Sequence, residues 1–139
     1  MSSLYLALIR YRMEQAEESL QAARAMFGMG LLRPAINRAY YTMFYAVLAL
    51  LATEGRGTSK HTGAIALFDM DFINKGTVKR ELSAWLHRVF DLRQKSDYRE
   101  MFQPTQEDAK TALERADAFL AEVRQALSTP DDAASGPGE

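Results

Sequence analysis

The chain has 139 residues, 47% of them hydrophobic and 25% charged, with a net charge of −1 at pH 7. That suits a single soluble domain with a real core, and it excludes a global basic field, so any nucleic-acid binding would need a local patch. There is no cysteine, which removes disulfides, thiol catalysis and thiolate metal sites and fits a reducing cytoplasm; no stretch approaches the roughly 18 apolar residues that span a bilayer, so no membrane association is expected.

Residues 6–27 carry apolar or small side chains at Leu6, Ile9, Met13, Ala16, Leu20, Ala23 and Phe27. Steps of three and four predict an amphipathic helix with one buried seam, ended by Gly28 and Gly30. Pro34 suits the first turn of a second helix over 33–53, "PAINRAYYTMFYAVLALLAT", which is apolar nearly all round and predicted to be the most buried element. On it Asn37, Tyr41 and Phe44 share one side, with Tyr40 and Met43 beside them, while Arg38 and Tyr45 project elsewhere.

"EGRGTSKHTG" breaks the pattern with three glycines. A short helix follows with Ile65, Phe68 and Phe72 inward, closing at "NKG". Thr77 is the expected N-cap of a helix over 78–97. Thr105 with Asp108 has the spacing of a capping box for a last helix over 106–127. Residues 128–139, "STPDDAASGPGE", read as a disordered tail. No repeat and no period-two run is present. The fold class is therefore all-α: an up-and-down four-helix bundle with one additional short helix, a single domain over 1–127.

The fourth helix raises the sharpest question. Its apolar stripe runs Val78, Leu82, Trp85, Val89, and the next positions on it are Arg93 and Ser96, with Asp97 at the edge and Tyr98 beyond. A guanidinium keeps its proton and is costly to bury alone. Arg93 either pairs with Asp97 one turn on or with a partner from another helix, near a solvated bundle end, or faces a polar cleft or dimer seam and grips phosphate with its planar fork. The tyrosines of helix two either pack in the core or, beside Asn37 and Arg38, offer a stacking surface. "GRGTSKH" brings Arg56, Lys60 and His61 to a helix N-terminus, where an anion is favoured, or is a solvated loop. Two distant histidines form no metal-ligand set, and neither a metal nor another cofactor is expected.

"INRAYYTMFYA", "KHTGAIALF" and "FDLRQKSDY", in that order, resemble the HEPN family over about residues 10–125. The resemblance implies a four-to-five-helix bundle, a homodimer, and pairing with a minimal nucleotidyltransferase in a toxin–antitoxin-like system in bacteria or archaea. Catalytic members are metal-independent ribonucleases with an arginine, four to six residues, then a histidine. Arg93 matches the arginine, but no histidine follows it; Asp97 and Tyr98 stand in "RQKSDY". An ionised aspartate is a weak base unless burial raises its pKa, whereas histidine titrates near neutrality. The expected function is thus a binding and regulatory module holding a nucleotide or RNA phosphate through Arg93, with Asn37, Arg38, Tyr41, Lys60 and His61 as further ligand contacts. The alternative is a ribonuclease toxin with a non-standard site of Arg93, Asp97 and Tyr98, joined by Arg38 and His61, in which His61 could act only if the fold or a dimer partner brings it near Arg93.

Overall fold

The computed structural model describes residues 3–58 and 60–128, so the expected tail from residue 129 onward lies outside the described residues. Among these described residues five α-helices follow in order: α1 (Ser3–Gly28), α2 (Leu32–Thr53), α3 (His61–Phe68), α4 (Glu81–Tyr98) and α5 (Gln106–Leu127), with a π-helical turn, Asp69–Ile73, continuing α3. No strand occurs among the described residues. The chain is an all-α bundle in which α2 packs against α1, α3, α4 and α5. That central place follows from its sequence: with apolar side chains on nearly every face, it is stable only when surrounded. Tyr40, Met43, Val47 and Leu51 are fully buried along it.

The capping box of α5 forms as the spacing predicts. Thr105 accepts from the Asp108 backbone N–H while the Asp108 carboxylate accepts from that of Thr105. Other boundaries differ. α4 starts at Glu81 without a side-chain cap. Thr77 does not cap it, because the N–H groups of Thr77 and Val78 turn back to the Phe72 carbonyl and close the π turn. Within α4, Leu86 is fully buried, whereas Trp85 is half-buried under the Arg115 guanidinium, 5.0 Å from its ring. In α5 the aromatic core contribution is Phe119, whose ring lies 5.6 Å from that of Phe68.

α1 is 26 residues long, about 39 Å at 1.5 Å per residue. Its seam is buried at Ala16, Leu20 and Ala23, but Leu4, Leu6, Leu8 and Tyr11 are exposed, so the apolar pattern outruns the bundle that could cover it. The Tyr5 ring crosses closely over Gly55, where a Cβ would stand 2.9 Å from the tyrosine oxygen and φ is +68°. Both the approach and the dihedral require glycine there.

One side chain fixes the end of α4. Arg33, in the first turn of α2, donates Nε to the Ser96 carbonyl at 3.2 Å and Nη2 to the Phe102 carbonyl. Carbonyls at a helix C-terminus lack helical partners, and a guanidinium satisfies them. Asp97 and Tyr98 are thereby held against α2.

Candidate functional site

Arg93 is buried, at 8% exposure, on the α4 stripe between Val89 and Ser96. Its guanidinium lies among three tyrosine rings, with its central carbon 5.2 Å from the ring centroid of Tyr40, 5.4 Å from that of Tyr41 and 5.2 Å from that of Tyr98. Cation–π attraction of this kind partly replaces the water a buried cation has lost. Nε donates to Asp97 Oδ2 at 3.1 Å, and Nη2 donates to the hydroxyls of Tyr98 at 3.1 Å and Tyr41 at 3.4 Å. Nη1 has no partner among the described residues.

Asp97 has a second donor, Asn37 Nδ2 at 2.8 Å, and Oδ1 of the same Asn37 side chain accepts from Arg38 Nε and Nη2 at 3.0 and 2.8 Å. Arg38 also lies over the Tyr41 ring, 4.8 Å from its centroid. A chain Arg38–Asn37–Asp97–Arg93 thus orients the carboxylate and, through it, the guanidinium. Asn37 and Arg38 stand behind the cleft and do not line it.

On the other side stands His61, the first residue of α3. Its ring stacks on Phe44, with centroids 4.1 Å apart and planes within 8°, and its Nδ1 is hydrogen-bonded to the Tyr40 hydroxyl at 2.8 Å. Burial, then the Arg93 charge, pulls the His61 pKa below its ordinary value. Burial pushes the Tyr40 hydroxyl far up, with Arg93 opposing, so it stays a neutral phenol.

Arg93, Tyr41, Tyr98, His61 and Lys60, with Thr62, Phe90 and Gln94, line one open cleft of about 590 Å³. No carboxylate lines it among the described residues. The N-terminus of α3, with its positive dipole end, opens onto the same space. A larger groove of about 740 Å³ between α4 and α5 mixes Arg88, Lys95 and Arg115 with Asp91, Glu107 and Asp108 and has no comparable single-sign lining.

The fold therefore brings together Arg93, Asp97, Tyr98, Asn37, Arg38, Tyr41, Lys60 and His61, although they come from three separated segments. Arg56, read from sequence as part of the same anion loop, is elsewhere: it pairs with buried Asp71 of the π turn at 2.6 Å. Tyr40 was legible as a core aromatic or as part of a stacking surface, and not as a partner of His61. Its bond to His61 crosses 21 positions of chain and a glycine-rich loop, and no local spacing announces it. His87 lies outside the cleft, on the exposed side of α4, hydrogen-bonded to Asp69 at 2.8 Å.

These features define a class: a small helical bundle with a buried arginine, an aspartate one turn on and a donor-lined cleft. The family model described as "HEPN domain" matches residues 9–126, and the chain belongs to the HEPN family. It is 34% identical over 120 residues to a "UPF0332 protein" of Thermotoga maritima, covering 86% of this chain and 91% of that one. It is 35% identical over 119 residues to "Putative toxin MJ0605" of Methanocaldococcus jannaschii, covering 86% and 88%. Among solved structures, TT1696 from Thermus thermophilus superposes with a TM-score of 0.73 at 22% identity, covering 86% of this chain and 98% of that one, a likeness of fold.

Proposed function

We propose that the protein is the HEPN half of a toxin–antitoxin-like pair, binding a phosphate of RNA or of a nucleotide in the Arg93 cleft and partnered by a minimal nucleotidyltransferase. One observation carries the phosphate reading. Arg93 is a buried cation whose single carboxylate occupies Nε, leaving Nη1 unpaired at a cleft without acidic lining among the described residues. A guanidinium so placed is suited to a phosphate, which can accept from the free Nη1 donors beside a fixed positive charge. Tyr98, 70% exposed beside it, adds a ring on which a base can stack. The relatives named as toxins support the toxin–antitoxin setting. A homodimer belongs to the same proposal: Leu4, Leu6, Leu8 and Tyr11 of α1 leave an apolar stretch exposed that a second copy would cover. Calorimetry with uridine monophosphate and with a short single-stranded RNA tests the cleft. Heat of binding by wild type that Arg93→Lys abolishes supports it, and equal binding by both proteins sinks it.

A second reading, metal-independent RNA cleavage, is favoured by a specific observation. His61 shares the cleft with Arg93, so an imidazole that can exchange a proton is present although none follows the arginine in sequence. A gel assay on labelled RNA with EDTA present decides between binding alone and binding with cleavage.

A further inference from the structure

The Tyr40–His61 pair has a directional consequence. Tyr40 is fully buried, and its hydroxyl has one hydrogen-bond partner among the described residues, His61 Nδ1. A phenol can donate once and accept. If it only accepted from His61, its own hydrogen would be buried without an acceptor, which is the costlier arrangement. The hydroxyl therefore donates to Nδ1, and the proton of the neutral imidazole sits on Nε2. The stacked Phe44 ring fixes the imidazole plane. Nε2 is the ring's opposite edge, has no partner among the described residues, and belongs to a residue that lines the cleft with Arg93.

The geometry points to His61 as a second anion ligand of the cleft, presenting Nε2–H to the phosphate that Arg93 holds, with Tyr40 as the positioning residue that sets this tautomer. The inference rests on the phosphate reading of the cleft. It adds a proton linkage. The charged groups around His61 are Arg93 from α4 and Lys60 beside it; Tyr40, Tyr41 and Tyr98 are phenols, and Asp97 reaches the cleft only through Arg93. In the free protein, burial and this positive surround favour the neutral ring. A bound phosphate reverses the local sign and favours the imidazolium, so binding takes up a proton. Affinity rises as pH falls through the bound-state pKa of His61 and levels off below its free-state pKa. The total gain is about tenfold for each pH unit by which the ligand raises that pKa.

The experiment uses the full chain labelled with ¹⁵N-histidine, titrated with inorganic phosphate and, separately, with a 2′-O-methyl oligoribonucleotide that its own 2′ oxygen cannot cleave. His87, outside the cleft, is the internal reference. The expected result is a free-state His61 protonated on Nε2, a mixture of tautomers in Tyr40→Phe, and a His61 pKa that rises with either probe while the His87 signals at fixed pH do not move. His61→Ala should weaken binding several-fold, and His61→Gln, which keeps a donor but cannot titrate, should recover part of it while losing the rise at low pH. An unmoved His61 pKa, or wild-type binding by His61→Ala at both ends of the pH range, overturns the inference. If Arg93→Lys alone abolishes binding, the Arg93 cleft stands and the role of His61 falls. If wild type binds neither probe, the cleft reading falls with it.

Discussion

Among the described residues two charged side chains are buried, and they are held differently. Asp71, in the π turn, is 4% exposed and meets Arg56 head-on at 2.6 Å. Arg93, on α4, is 8% exposed and has its carboxylate to one side, aromatic rings around it and one nitrogen unpaired at a cleft. In the first, a buried carboxylate is paired directly with a half-exposed guanidinium, and a buried charge held in that way holds structure together. The second leaves binding capacity unused inside the fold. Burial of a charge alone does not mark a site. A buried charge whose partners are incomplete on the side facing a cavity does.

The comparison breaks most visibly at Arg56. Arg56→Ala leaves Asp71 charged, buried and unpaired, and should cost about 3 kcal/mol of stability without changing phosphate or RNA binding. Urea denaturation and calorimetry measure the two quantities. Adding Asp71→Asn should recover much of the loss, because an amide tolerates a dry site better than an unpaired carboxylate. If Arg56→Ala abolished binding instead, the two regions would not be separable.

Arg93→Lys tests the other half. Lysine keeps the charge but lacks the planar fork, so it should lower phosphate affinity at least tenfold, about 1.4 kcal/mol. The cost in stability should be smaller, about 1 kcal/mol, because Asp97 keeps Asn37 as a donor. A variant that loses stability as Arg56→Ala does while still binding phosphate would make Arg93 a second structural ion pair.

His61 gives a smaller effect with a defined sign. Its pKa in the folded protein lies below the ordinary, unfolded value. The stability this contributes is present above the unfolded pKa, near 6.5, and is lost as pH falls through the folded pKa. Thermal melts between pH 8 and 5 should show a loss below about 1 kcal/mol, absent in His61→Gln and reduced by added phosphate. A melt whose pH profile is the same in both proteins would deny the linkage.

How far the sequence disclosed these regions depends on how local each is. The α4 stripe is periodic, so Arg93 on a core face, with Asp97 one turn on, could be read from spacing alone, and α2 as the surrounded helix from its composition. The capping box of α5 is a four-residue signal. The cleft depends on chain separated by the 54–60 loop: nothing local states that Tyr40 reaches His61, or that Phe44 stacks on it. The π turn was equally hidden. It is a change of backbone hydrogen-bond register, with the Asn74 N–H reaching back to the Asp69 carbonyl, and side-chain periodicity does not encode it. That turn brings Asp71 inward and draws Arg56 away from the anion loop in which the sequence alone groups it. α1 misled in the opposite direction: its apolar pattern continues to Leu6 and beyond, but periodicity reports a face and not whether anything covers it.

The smallest expected effect refines the structural side of the comparison. Glu54, at the C-cap of α2, has its pKa raised by partial burial and by the neighbouring Asp71 carboxyl, against the pull of Lys75 and Arg56. A folded pKa above the unfolded one means that the ionised form is disfavoured in the fold. The associated stability is present at low pH and lost as pH rises through the folded value. At neutral pH the Glu54 carboxylate therefore weakens the Arg56–Asp71 pair beside it. Glu54→Gln should stabilise the protein there by at most about 0.5 kcal/mol, since the group is largely exposed and solvent screens it. The gain should vanish as pH drops to where wild-type Glu54 takes its proton. Chemical denaturation of the two proteins at pH 7 and pH 4 measures it. An equal difference at both values would mean that the substitution acts through packing or helix capping and that charge repulsion from Asp71 is not the cause.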